Sequence, residues 1–405
     1  MYRLLASAWC PGEREGEGEG EGEGDSTALC ILCRAAHACK AHFRASGDRV
    51  LRYHMSCAAH MQSMLPGWCV ISGVMMKICV YGAGAIGGLF AARLAAQGHD
   101  ISIVARGRSL AVLQQKGVGL VEKGQTRFYP VNASAVPADL GAQDLVVVAV
   151  KQPDLHQVAK SITPLLHSNT RVLLAMNGVP WWFFDGLPGH MQGATLSSVD
   201  LGGDMRSLIP TQQVIGCVVH ISCIAVEPGV SQHRHGDTLI VGEPLHSQGP
   251  KQKVLQDTLS ALSAAGFDVQ YSECIQRDIW FKLWGNMTMN PVSAITGATT
   301  DLILDDAQVR AFCSAIMDEA SAVGAAIGCQ VHQTAEQRHA VTRELGAMRT
   351  SMLQDVQAGR ALEIDALLTV VCEIAQRCHI QTPHMNALLG LVRLFAQTRG
   401  LYPRP

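Results

Sequence analysis

From residue 76 onward, apolar and polar positions alternate between two regimes. In the first, short runs are largely apolar: Ile78–Tyr81, Ile101–Val104, Asp144–Lys151 (DLVVVAVK) and Arg171–Gly178 (RVLLAMNG). Runs of this length with no polar face predict strands covered on both sides, as in a parallel sheet. Between the first two lies a segment rich in Ala and Leu that ends at Gly98, which predicts a helix. Two further strands are predicted at VIGCVVHISCIAV (214–226) and DTLIVGE (237–243), the latter alternating like part of a meander. The second regime begins after Ser272–Gln276 and predicts helices only, as far as Leu401. The fold class is therefore α/β: a Rossmann-type parallel sheet domain over 76–272, followed by an all-helical domain over 273–405.

Residues 1–75 stand apart. The Gly-Glu alternation from Glu13 to Gly24 cannot bury apolar surface and is expected to be disordered. Cys30, Cys33, His37, Cys39 and His42 carry zinc-ligating atoms, but not as two ligand pairs separated by a longer loop, so no metal site is predicted. The segment is read as an extension ahead of a functional start at Met75 or Met76.

Composition narrows the class. The chain has 405 residues, 48% hydrophobic and 16% charged, with net charge −2. This suits a globular protein with a sizeable core and gives no basic patch for nucleic acid. No apolar run is long and uninterrupted enough to span a bilayer. The 14 cysteines lack a framework spacing and read as reduced thiols of a cytoplasmic protein.

The first strand opens into Gly82-Ala83-Gly84-Ala85-Ile86-Gly87 and then the helix. Glycine is needed at the first position for the tight turn, at the second for backbone approach to a pyrophosphate, and at the third for helix–strand packing. The helix N-terminus adds free N–H groups and the positive end of its dipole. At the end of the second strand the sequence reads VARGR. Asp100 is at the wrong end to bind a ribose hydroxyl, whereas Arg106 and Arg108 sit where a 2′-phosphate would lie, which favours NADP(H). Lys151 and Asn177 stand at carboxyl ends of strands, where ligands bind in open α/β sheets. Asn177-Gly178 is equally a plain turn signal.

In the helical region, RDIWFKLWGNMTMNPVSAITGA is apolar almost all round, and Lys282 is its only charge between Ile279 and Thr300. Lys282, Asn286 and Asn290 fall at i, i+4 and i+8, one stripe along a helix that Pro291 is expected to end. A lysine aligned with two asparagines on a buried helix predicts a polar cavity. A second constellation, Ser351, Arg360, Glu363 and Asp365, occurs in a segment with helical apolar period at Leu362, Ile364, Leu367 and Leu368.

Four blocks, MKICVYGAGAIGG, the strand-end Lys151 with Asn177-Gly178, KLWGNMTMNPVSAITGAT and TSMLQDVQAGRALEID, together resemble the ketopantoate reductase (2-dehydropantoate 2-reductase) family over about Met76 to Pro383. The resemblance implies an active site in the cleft between the two domains, NADPH as reductant, and a small 2-oxo acid as substrate, reduced in pantothenate biosynthesis. It implies Lys282 as proton donor, Asn177, Asn286, Asn290 and Ser351 as substrate contacts, and Glu363 as a residue touching substrate or cofactor. Quaternary state is left open, with a homodimer as one option. One departure stands out. In the family pattern the connection after Asn177-Gly178 is shorter and lacks the run Trp181, Trp182, Phe183, Phe184. That run is either a different pocket wall or core packing. Two alternative functions follow: a reductase of a bulkier carbonyl substrate, or an NADP-sensing protein without catalysis.

Overall fold

The computed structural model describes residues 74–404. The Gly-Glu alternation and the cysteines and histidines weighed for zinc lie outside the described residues. The first strand, β1 (Lys77–Tyr81), is buried at every position after Lys77 and lies between β2 (Asp100–Val104) and a strand formed much later. After β2 the chain makes three strands that the apolar pattern does not announce: β3 (Val118–Glu122), β4 (Gln125–Tyr129) and β5 (Asn132–Ser134). β4 is mostly exposed, and β5 has only three residues. Neither carries a run of apolar positions long enough to register. β6 (Leu145–Val148) and β7 (Arg171–Leu174) are wholly buried, as their unbroken apolar runs predict.

The order β5-β2-β1-β6-β7-β8, all parallel, is the dinucleotide-binding arrangement, where β8 is Val214–Glu227. The sheet then turns mixed. β8 folds back antiparallel onto β9 (Val230–Gly242), whose far edge takes β3 near its start and β10 (Asp268–Ser272) near its end, both parallel. The predicted parallel sheet is thus one side of a larger mixed sheet, ten-stranded among the described residues, with β5 at its outer edge. The long β8–β9 hairpin carries the sheet toward the helical half.

Helices α1 (Ala85–Ala96), α2 (Gly107–Lys116) and α3 (Gln152–Ser161) connect the parallel strands, and α4 (Pro250–Ala264) precedes β10. From Ile275 on, the described residues form helices and no strand. α5 (Ile275–Thr296) runs through Pro291 rather than ending there. Proline's fixed φ suits a helix, and the lost backbone bond and ring clash cost about 3 kcal/mol. Burial of Val292 and Ala294 beyond it offsets part of that cost. Around α5 pack α6 (Ala307–Ala326), α7 (Ala335–Arg343), α8 (Ser351–Gln357), α9 (Val370–Arg377) and α10 (Pro383–Thr398).

The aromatic run is buried, and Trp181 and Trp182 also line a small cavity beside Asn177. Trp181, Trp182, Phe183 and Phe184 are each at most 1% exposed. Trp181 and Trp182 join the apolar cluster beneath one face of the sheet, whereas Phe183 and Phe184 join the core of the helical half, where Phe183 lies 6.2 Å from Trp280. Gly216 on β8 is small because Trp182 lies over it: an added Cβ would come within 2.9 Å of the indole.

Candidate active site

The glycine loop is built as its spacing requires. Gly82 has φ +109°, and its carbonyl oxygen would stand 1.9 Å from a Cβ on Gly87. Both positions therefore need glycine for backbone reasons. Gly84 differs: a Cβ there would meet nothing within 4 Å. Its exposed backbone leads directly into α1, whose N-terminus faces outward from the sheet's carboxyl edge. An open approach beside free N–H groups suits the pyrophosphate of a dinucleotide. On the other side of the loop, the β8–β9 hairpin closes in, with the Cys223 thiol donating to the Ala85 carbonyl at 3.2 Å and the Ser231 hydroxyl to Gly84 at 3.3 Å. Arg106 follows β2 directly and caps the start of α2; Arg106 and Arg108 are both exposed.

The strands carrying Lys151 and Asn177 stop at Val148 and Leu174, three and four residues short of the predicted ends. Lys151 instead caps the start of α3 and pairs with Asp355 of α8 at 2.5 Å, and Arg360 holds the other oxygen of Asp355 at 2.9 Å. Asn177 sits on a tight connection. Gly178 has φ +86°, and a Cβ on it would fall 2.3 Å from the Ala366 carbonyl, which accepts the Val179 N–H at 2.9 Å. This contact presses the strand end of the nucleotide half against the helical half.

Lys282 projects from α5 into that junction. Its ammonium donates to Asn177 Oδ1 and to the Val219 carbonyl of β8, each at 2.8 Å. Burial pulls its pKa down to about 8, against the opposing pull of Cys217 and Glu363. One turn further along, Asn286 is half-buried, and Asn290 donates to the Ser351 hydroxyl at 3.3 Å. The predicted stripe is thus one face of α5, joined to the strand end at Lys282 and to α8 at Asn290.

Glu363 is not on a helix. α8 ends at Gln357, Gly359 turns the chain with φ +63°, and the next helical turn begins at Asp365. The apolar positions from Leu362 on have helical spacing, but a glycine with positive φ breaks the run before them. The extended stretch lets Glu363 reach across to accept the Gln152 N–H at 3.1 Å. Burial pushes its carboxyl above the usual range; the Gln152 N–H, Lys151 and Lys282 pull the other way. Two residues near Lys282 carry no signal in the sequence. His220, next to Val219, is pulled down to about 4, first by burial and then by the charges of Lys282 and Arg338. Arg338 itself comes from α7, remote in the chain.

The family model described as ketopantoate reductase PanE/ApbA matches residues 78–245, and that for the C-terminal part of the same family matches 274–396. A 2-dehydropantoate 2-reductase of Mesorhizobium japonicum is 40% identical over 328 residues, 81% of this chain and 100% of the relative. A crystal structure from Ralstonia solanacearum MolK2, assigned as a ketopantoate reductase, is 53% identical with a TM-score of 0.77, covering 80% of this chain and 99% of that one. A ketopantoate reductase of the PanE/ApbA family from Ralstonia eutropha JMP134 gives 25% identity and a TM-score of 0.68, over 80% and 100%. With both halves matched and relatives aligned over their whole length, the chain belongs to the ketopantoate reductase family.

Proposed function

We propose that the protein is an NADPH-dependent reductase of a 2-oxo acid, with 2-dehydropantoate as the first substrate and pantoate as product. The observation that carries this reading is Lys282, a buried ammonium fixed by two acceptors at the seam between a dinucleotide-type sheet and a helical half. An ammonium has three N–H donors. Asn177 and Val219 take two of them, which leaves the third for a substrate oxygen. The bound nicotinamide supplies a hydride to the C2 carbon. Lys282 then stabilises the charge growing on the C2 oxygen and hands it a proton. A pKa drawn down to about 8 makes it a stronger acid than an ordinary lysine while keeping it charged at neutral pH. Asn286, Asn290 and Ser351 supply neutral hydrogen-bonding groups for the substrate along the same groove. Glu363 sits where it can tune Lys282 and take a hydroxyl proton in hydrogen bonding.

The glycine loop, with Gly84 open and α1 behind it, would hold the pyrophosphate, and Lys151 and Asn177 line the approach of the nicotinamide end. Arg106 would take the 2′-phosphate, which is the ground for NADPH over NADH. A sensing role would need only the glycine loop, and leaves the Lys282 arrangement without a use. The test is loss of NADPH absorbance by purified protein with a panel of 2-oxo acids. Turnover of 2-dehydropantoate is expected; no turnover with any member of the panel would defeat the reading.

A further inference from the structure

We propose that Trp181 and Trp182 hold ordered water behind Asn177, and that this water fixes the amide on which the Lys282 ammonium rests. The inference rests on the reductase reading above and adds to it a bound-water site and two positioning residues. Asn177, Trp181 and Trp182 line one cavity of about 30 Å³, closed in large part by apolar side chains such as Leu174, Val199 and Ile279. Each of the three brings an N–H group with no acceptor among the described residues. Both indole rings are 1% exposed, and both Nε1 atoms are buried without a partner. Asn177 must turn Oδ1 toward Lys282, because an ammonium only donates. Its Nδ2 is then on the other limb of the amide, and it too finds no acceptor among the described residues.

A buried donor left without an acceptor carries its full desolvation penalty, so folded proteins answer such groups with protein atoms or with water. A buried water needs about 10–15 Å³ and a few polar partners. On volume the cavity therefore admits one or two waters and nothing larger. No charged side chain lines it, which favours a neutral acceptor over an ion. A water oxygen accepts two N–H bonds, and its own hydrogens can go to the second lone pair of a carbonyl oxygen. Gln152, Leu155 and Val199 also line an open groove of about 940 Å³, which gives solvent a way in.

The water matters for Lys282 because of how an asparagine is held. Its terminal torsion is broad, so its rotamer alone does not set the plane of the amide. The backbone is fixed next door by Gly178 and by the Val179 N–H on the Ala366 carbonyl. A hydrogen bond from Nδ2 to water fixes the plane as well. Held at both limbs, the amide keeps Oδ1 at 2.8 Å from the ammonium, and the third N–H of Lys282 keeps its direction toward the substrate oxygen. No proton passes through the water; it and the two indoles orient.

The test replaces Trp181 and Trp182 together by the benzothiophene isostere of tryptophan, which keeps the ring and loses only the N–H. A crystal structure of the wild type, at a resolution that shows water, should have water density in the cavity within hydrogen-bond distance of an indole nitrogen and of Asn177 Nδ2. In steady-state reduction of a 2-oxo acid, the double replacement should lower kcat by about tenfold, the scale of one lost hydrogen bond. The NADPH Kd should hold, and Tm should stay at or slightly below the wild-type value. In an Asn177→Ala background the same replacement should lower kcat no further, because both changes act through one amide. A dry cavity overturns the proposal. So does a double replacement that leaves kcat unchanged, that raises Tm as relief of an unanswered donor would, or that costs as much in the Asn177→Ala background. Wild-type protein inactive toward every 2-oxo acid defeats the reductase reading instead, while the water density still reports on the cavity, so the two failures are distinguishable.

Discussion

Under the proposed function, the glycine loop and the polar face of α5 would serve one site by opposite means. At the loop, side chains are absent where the ligand comes: Gly82 and Gly87 are closed against each other, and Gly84 is open. Recognition there is by backbone, so residue identity matters through the space it leaves. On α5 the backbone is hidden in its own helix, and recognition would fall to the side chains of Lys282, Asn286 and Asn290. Substitutions at the loop should therefore act on folding or on cofactor affinity, and substitutions on α5 should act on the chemical step.

The sharpest way to break this contrast is Lys282→Ala. Loss of an acid catalyst should lower kcat by about two orders of magnitude or more, with the NADPH Kd unchanged. In wild type, kcat/KM should hold at neutral pH and fall as pH rises through about 8, because the ammonium is the form that donates. A profile flat to pH 10 would remove Lys282 from the role. Next in size is a pair of loop substitutions. Gly87→Ala drives a methyl into the Gly82 carbonyl and should lower Tm by several degrees. Gly84→Ala meets only open space, so Tm should hold while the NADPH Kd rises about tenfold; equal behaviour of the two variants would mean that Gly84 does not face the cofactor. An effect no larger than that at Gly84 is expected at Arg106→Ala. A hydrogen bond to a charged group contributes about 1.5 kcal/mol, so preference for NADPH over NADH should drop by about tenfold. An unchanged preference would move the 2′-phosphate away from Arg106.

The same contrast decides what could be read from the sequence. Loop chemistry is local, and six consecutive residues between a strand and a helix display it whole. The α5 stripe is nearly as legible, because a helix converts spacing into direction. What escaped is what arrives from elsewhere in the chain. The pairing of Lys282 with Asn177 joins residues 105 apart. Asp355 on Lys151, and His220 and Arg338 around Lys282, leave no periodic trace. Leu362, Ile364, Leu367 and Leu368 keep a helical period, but Gly359 turns the chain first and leaves Glu363 outside a helix. Pro291 is a related case: its local cost is plain in the sequence, whereas the packing that offsets it is tertiary. The strands β4 and β5 leave no mark in the apolar pattern, since exposed or very short strands do not need apolar alternation.

The aromatic run at 181–184 has a consequence for how the protein melts. Two of its rings lie in the core under the sheet and two in the core of the helical half, along four consecutive residues. Neither core can loosen without stripping rings from the other. Heating or denaturant should accordingly take the sheet and the helices down in one cooperative transition. Loss of the dinucleotide cradle and loss of the polar groove would then be a single thermal event, and cofactor bound to the first would protect the second.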